Sequence, residues 1–165
     1  IVAATIVIVM MNNMNKENII VSACLLGVNC KYNGGNNSCE KVIKLQEKYN
    51  LITICPEVDG GLTTPRTPSE IVENKDAKVF VDDRQSFIII DNKNDSKEYL
   101  KGASIALEKA LSNNVKFAVL KAKSPSCGCG LIYDGTFNHN LIHGDGVTTK
   151  LLKEHNIQVY TEEDI

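Results

Sequence analysis

Six cysteines stand in the 165 residues, and three of them share a setting. Cys24 follows the apolar run Ile19-Ile20-Val21. Cys55 follows Leu51 to Ile54. Cys127 follows Phe117 to Leu120 after a short loop. Three thiols brought together have few chemical uses. One is a disulfide with a spare thiol. A second is a zinc site, either closed by a fourth ligand or left open for catalysis. A third is an iron–sulfur cluster, which favours thiolate ligands. With three thiolates, one iron of a cluster keeps a position for a substrate atom and can act as a Lewis acid. The ordinary alternative is that each cysteine is a small buried hydrophobe. Cys30, Cys39 and Cys129 lack the strand-exit setting and read as incidental, with Cys129 the strongest exception. Cys127-Gly128-Cys129 is not a CxxC, so no redox or zinc-ribbon motif is present.

Polar residues near these thiols supply candidate roles. Glu57 lies two residues past Cys55 in a proline-stiffened segment and is the best general acid/base candidate. Ser126 adjoins Cys127 and is a candidate to hydrogen-bond substrate or relay a proton; a turn that stabilises the Pro125 loop is its plainer role. Ser22 has a similar but weaker claim. Arg66, Lys121 and Lys123 read as rim cations, suited to an anionic cluster or a substrate phosphate. Asp145, between two glycines, reads as a helix cap. Gly34-Gly35 and Gly60-Gly61 are expected to let backbone approach the metal centre. His139 and His143 fall in a polar loop, and neither is expected to be a ligand.

These residues need elements to position them. Ile19–Val21, Leu51–Ile54, Phe117–Leu120 and Gln158–Tyr160 predict short buried strands. Val42, Ile43, Leu45, Gln46 and Tyr49 fit one helical face, with Asn37 or Ser38 as cap. Residues 56–70 carry all but one of the prolines and read as an ordered loop. Lys78–Val81 and Phe87–Ile90 predict a hairpin turning at Asp82-Asp83-Arg84. Asp95 opens the strongest helix, with a box-like Asp95-x-x-Glu98 and a periodic face of Tyr99, Leu100, Ala103, Leu107, Ala110 and Leu111. Leu131–Phe137 predicts a strand and turn. Gly144-Asp145-Gly146 leads into a helix carrying Val147, Leu151 and Leu152. Alternating strands and amphipathic helices predict an α/β fold: a single Rossmann-like layered domain with a mostly parallel sheet and a small β-hairpin. In such sheets ligands sit beyond the carboxyl ends of the strands, so Cys24, Cys55 and Cys127 are expected at one rim.

The composition fits an ordinary globular chain, with 43% hydrophobic and 23% charged residues. No apolar run reaches the ~20 residues of a membrane span, and a net charge of −2 gives no global pull on nucleic acid. The cysteine content is well below the roughly 8–10% of a disulfide scaffold. Aromatics are 5% with no RNA-reading aromatic motif or basic stripe. The chain starts at Ile1, with Met10, Met11 and Met14 as alternative starts. Neither a basic leader nor a cleavage site surrounds the apolar start. Residues 1–16 are expected to be an N-terminal extension, foreign or poorly ordered, with an extra strand as the alternative; 17–165 form the domain. The expected compartment is reducing and cytoplasmic.

Four blocks in order carry a family resemblance. They are Ser22-Ala23-Cys24-Leu25-Leu26-Gly27 with Tyr32-Asn33-Gly34-Gly35; Cys55-Pro56-Glu57-Val58-Asp59-Gly60-Gly61-Leu62 with Pro65-Arg66-Thr67-Pro68; Lys121 through Ser124-Pro125-Ser126-Cys127-Gly128; and Tyr133-Asp134-Gly135-Thr136-Phe137 with Gly144-Asp145-Gly146-Val147-Thr148. Together, over residues 19–160, the chain resembles the family named domain of unknown function 523. The resemblance implies a thiouracil desulfidase, which replaces the sulfur of a thiolated pyrimidine with oxygen and releases sulfide. It also implies a 4Fe–4S cluster held by Cys24, Cys55 and Cys127. Relatives act on the free base, on the nucleoside or on thiolated RNA, of which thiolated tRNA is the less favoured partner here. Cys129 and the N-terminal extension depart from the family pattern. Two rival readings stand beside it: a zinc or mononuclear-metal hydrolase, and a non-catalytic sulfur- or RNA-binding module.

Overall fold

The computed structural model describes residues 16–71, 89–90 and 96–165. Its centre is a four-stranded parallel sheet in the order β2-β1-β5-β8, formed by β1 (Glu17–Ser22), β2 (Tyr49–Ile54), β5 (Phe117–Leu120) and β8 (Gln158–Thr161). Ile19, Ile20 and Val21 of β1 are all 0% exposed. A run this apolar suits a central parallel strand, because both faces of such a sheet are covered. Alternate side chains serve the two faces. Ile20, Ile52, Ile54, Ala118, Leu120 and Val159 pack with Ala106, Ala110 and Leu152 on one side. Ile19, Val21, Leu51, Phe117 and Val119 pack with Leu25 and Val42 on the other.

The first side is covered by α3 (Ser96–Ser112) and α4 (Val147–Glu154). On α3 the buried face runs Tyr99, Gly102, Ala103, Ala106 and Ala110, a narrow stripe of small residues that brings the helix close. Leu111, expected on this face, is 57% exposed, because the stripe drifts one residue toward Ala106 and Ala110. Asp95, the expected opening residue, lies outside the described residues.

On the opposite side, the expected helix over residues 42–49 is shorter. It is α1 (Glu40–Ile43) followed by a tighter 3-10 turn, Lys44–Glu47. Tyr49 already belongs to β2. The capping position is Cys39, without a side-chain cap bond, rather than Asn37 or Ser38. The segment after Cys55 is not all loop. Pro56 opens α2 (Pro56–Asp59), where its fixed φ suits a first helical turn and its missing N–H costs nothing.

Among the described residues there are also two small antiparallel pairs. β3 (Glu70–Ile71) pairs with β4 (Ile89–Ile90), Glu70 opposite Ile90. The expected hairpin over 78–90 otherwise lies outside the described residues. β6 (Leu131–Tyr133) pairs with β7 (Leu141–His143), so His143 stands in a strand rather than a loop. Asp134-Gly135 signals a turn there, but the returning strand Leu141–His143 is too short to show a period of its own. Residues 1–15 of the expected extension lie outside the described residues. Lys16 is tied to the domain: its Nζ donates to the Gln46 carbonyl at 2.9 Å.

Candidate active site

The strand register sets the first two thiols level. Ser22 pairs with Ile54 across β1 and β2, so Cys24 and Cys55 leave the sheet at the same edge. Past β5, the backbone N–H of Lys121 donates to Ser22 Oγ at 2.9 Å and locks the third exit to the first. The Cys127 loop is then docked on the start of α4. The first N–H groups of a helix have no partner within it. Here Val147 donates to the Pro125 carbonyl and Thr148 to the Ser126 carbonyl at 3.0 and 2.8 Å, and the preceding Gly146 donates to Gly128 at 2.8 Å. Thr149 Oγ1 donates to the Cys127 carbonyl at 2.7 Å. Ser124 Oγ accepts the N–H groups of Ser126 and Cys127 at 3.1 Å each, so the turn is closed by Ser124 and not by Ser126.

A cavity of about 430 Å³ opens at this edge, well sized for a small ligand. Its lining includes the thiols Cys24, Cys30, Cys55 and Cys127 with Ser22 and Ser124, and the rings of Tyr32, Tyr99, Tyr133, Phe137 and His139. The three expected thiols therefore share one cavity. Cys129 does not reach it: its thiol donates to the Val159 carbonyl at 3.4 Å against the core. Cys39 packs under β1. Cys30, expected to be incidental, belongs to the site. Its signal was the Cys24-x5-Cys30 spacing across a turn, Gly27, that sends the chain back over the strand end.

The thiols differ electrostatically. Hydrogen bonding with Cys30 outweighs burial and lowers Cys24 to about 7, with Asn37 and Lys121 adding to the effect. Cys55 is also lowered, first by Cys30 and then by the Val58 backbone and Arg66. Cys30 is correspondingly pushed up as the shared proton holder of the two. Burial pushes Cys127 up, partly offset by the Ser22 hydroxyl. A hydrogen-bonded thiol beside Lys and Arg is the setting in which thiolate ligands form. Among the described residues no three His, Cys, Asp or Glu side chains are arranged to hold one metal ion. A four-iron cluster asks for something different, since each thiolate binds its own iron. A set of soft sulfur donors lining one cavity fits that group.

The other candidates fall in several places. Glu57 lines the cavity and is paired with Arg66: Nη2 lies 2.6 Å and Nε 2.8 Å from Glu57 Oε2. Arg66 is not a rim cation. Its side chain is 8% exposed and also donates to the Cys30 carbonyl at 2.9 Å, so it clips the Cys30 loop to the Glu57 loop. Lys121 and Lys123 line the cavity, but Glu162 and Glu163 pair with them. Ser126 is 1% exposed, is not on the cavity wall, and shares a 3.0 Å hydrogen bond with Thr148 Oγ1. Asp145 is not a cap. It accepts from Gly130 N–H at 2.8 Å and from Lys153, while Gly146 holds the capping position. Gly60 does not approach the metal end; a Cβ there would meet the Glu98 carbonyl at 1.9 Å. It lets α2 lie against α3, where a Cβ on Gly102 would stand 1.8 Å from the Pro56 carbonyl. Gly34 has open space around it.

Sequence reasoning left out the aromatic wall. His139 lines the cavity, its ring edge-on to Tyr133 at 6.2 Å. Tyr133 and Phe137 stood in a resemblance block, but nothing in their spacing marked them as pocket residues.

A family model described as 2-thiouracil desulfurase matches residues 19–164. The chain belongs to the 2-thiouracil desulfurase family. Among relatives of this family member, the uncharacterized protein YbbK of Bacillus subtilis (strain 168) is 37% identical over 147 residues, covering 89% of this chain and 97% of YbbK. The solved structure of the 4Fe–4S-dependent thiouracil desulfidase TudS matches with a TM-score of 0.78 and 37% identity, covering 91% of this chain and 93% of TudS. The family membership agrees with the resemblance carried by the four sequence blocks.

Proposed function

We propose that this chain exchanges the sulfur of a thiolated pyrimidine such as 4-thiouracil for oxygen and releases sulfide, with Cys24, Cys55 and Cys127 holding a 4Fe–4S cluster. The observation that carries this reading is the shared cavity, lined by the three thiols and by aromatic rings, in a member of the desulfurase family. When bound, such a cluster supplies a thiophilic Lewis acid at the iron that no protein residue holds, which favours sulfur over the oxygen of ordinary uracil. The mononuclear-metal and binding-module readings lack a comparable support.

The chain's own residues have separate tasks. Tyr133, Phe137 and His139 hold the flat ring by stacking and edge contacts. Glu57, oriented by Arg66, moves a proton at the water that attacks the ring carbon. The reaction is a hydrolysis: water contributes the new oxygen, and its protons leave with sulfide, so no electron donor is needed. Ser126 acts through the loop that carries Cys127 rather than on the substrate. The substrate is a base or nucleoside before a thiolated tRNA, since the cavity's Lys121, Lys123 and Arg66 are already ion-paired. All six cysteines are free thiols, and no described helix is long and apolar enough to cross a membrane.

Anaerobic reconstitution with iron and sulfide, followed by assay of sulfide release from 4-thiouracil, tests this. The expected result is a brown protein with broad visible absorption that turns over. Glu57→Gln is expected to keep the colour and slow turnover by about 10²-fold. A colourless protein carrying one zinc and releasing no sulfide would overturn the reading; full activity in Glu57→Gln would remove Glu57 from it.

A further inference from the structure

Glu70 is a carboxylate in an unusual place. It is 8% exposed, stands at the first position of β3, and lines the cavity. Its Oε2 accepts two backbone N–H groups, from Gly135 at 3.0 Å and from Phe137 at 3.0 Å. It therefore ties down the loop that delivers the aromatic wall. That accounts for one oxygen. Among the described residues Oε1 takes no hydrogen bond. Glu70 is one of the residues that line the cavity. A carboxylate on a cavity wall with one oxygen fixed by backbone has a second acceptor atom to offer a ligand's donor.

We infer that Glu70 is a specificity-determining residue: Oε2 anchors the Gly135–Phe137 loop while Oε1 accepts the ring N3–H of the pyrimidine. This rests on the desulfidase reading and deepens it. A thiouracil carries an N3–H donor between its two exocyclic positions, in the base and the nucleoside alike. An ionised carboxylate can only accept, so a ring presenting a bare nitrogen or a methyl there leaves Oε1 without its partner. Sites that hydrogen-bond a donor reject analogues lacking it far more strongly than apolar pockets reject a missing methylene.

The test uses the reconstituted holoenzyme, comparing 4-thiouracil with 3-methyl-4-thiouracil, with 1-methyl-4-thiouracil as a size control, on wild type and Glu70→Gln. The wild type is expected to lose about tenfold or more in kcat/KM on 3-methylation. Glu70→Gln is expected to raise KM by about tenfold, keep kcat within a few fold, and shrink the 3-methyl penalty. A Glu70→Gln enzyme with the wild-type KM and the wild-type penalty would overturn the inference. So would faster amide exchange at Gly135 and Phe137 with an unchanged penalty, since that result assigns Glu70 to loop anchoring alone. Calorimetric binding of uracil and 3-methyluracil to the same holoenzymes keeps two failures apart. A wild type that releases no sulfide sinks the desulfidase reading, whereas equal binding of both uracils by wild type sinks the Glu70 assignment.

Discussion

At one pole of the cavity each expected sulfur hangs from the end of a central strand or from a loop seated on a helix. Cys24 and Cys55 follow β1 and β2 at level register, and Cys127 sits in a turn whose carbonyls take the first N–H groups of α4. Elsewhere in the cavity lining, Phe137 and His139 ride a loop in which both are left-handed, with φ of 58° and 60°. There Glu70 and the Asp134–Thr136 turn supply the tethers. Strand ladders and a loop docked on α4 position the thiols; side-chain to backbone bonds from Glu70 and Asp134 hold the loop that carries Phe137 and His139. A metal centre needs ligands fixed to fractions of an ångström, which strand ends provide. A wall that admits and releases a flat ring needs less rigidity, and loops on a rigid scaffold are where such contacts usually lie.

That contrast can be broken from either side. Replacing Cys24, Cys55 or Cys127 with Ala is expected to abolish both cluster retention and sulfide release, read as loss of visible absorption and of activity. Cys39→Ala and Cys129→Ala are expected to keep both. An active, coloured Cys127→Ala protein would break the comparison outright. Next in size is the support beneath Cys55. Gly102→Ala forces a Cβ to within 1.8 Å of the Pro56 carbonyl, and overpacking against backbone is expected to cost about 3 kcal/mol. Thermal unfolding would show it, together with a lower yield of bound iron. An unchanged melting temperature would mean that α2 shifts freely and that the thiol pole is not rigid. The smallest effect is expected at the wall. Phe137→Ala removes one ring from the cavity wall and is expected to raise KM by about tenfold at constant iron content. A loss of iron in that variant would show that the two poles are not independent.

The thiol exits were legible in the residues because the signals are local, and the desulfurase reading because four ordered blocks resemble a known family. A short β-branched run followed by Cys is visible in the chain, and parallel-sheet geometry sends such exits to one edge. The α3 stripe was legible for the same reason, except at Leu111, where helical drift over many turns moved the face. Arg66 illustrates the limit. Its charge suggested an exposed rim, yet Glu57 and the Cys30 carbonyl bury it. Lys121 and Lys123 likewise meet Glu162 and Glu163, some 40 residues away.

The amino-acid order alone settled the layered α/β architecture, the strand exits and the three thiols, since hydrophobic period and turn residues act over a few positions. Folding decided that Cys30 joins them, that Ser126 turns away toward Thr148, and that Glu70 reaches across 65 residues to hold Gly135. Those contacts are made by segments distant in the chain, and only the packing of the sheet and its helices brings their polar atoms within bonding range.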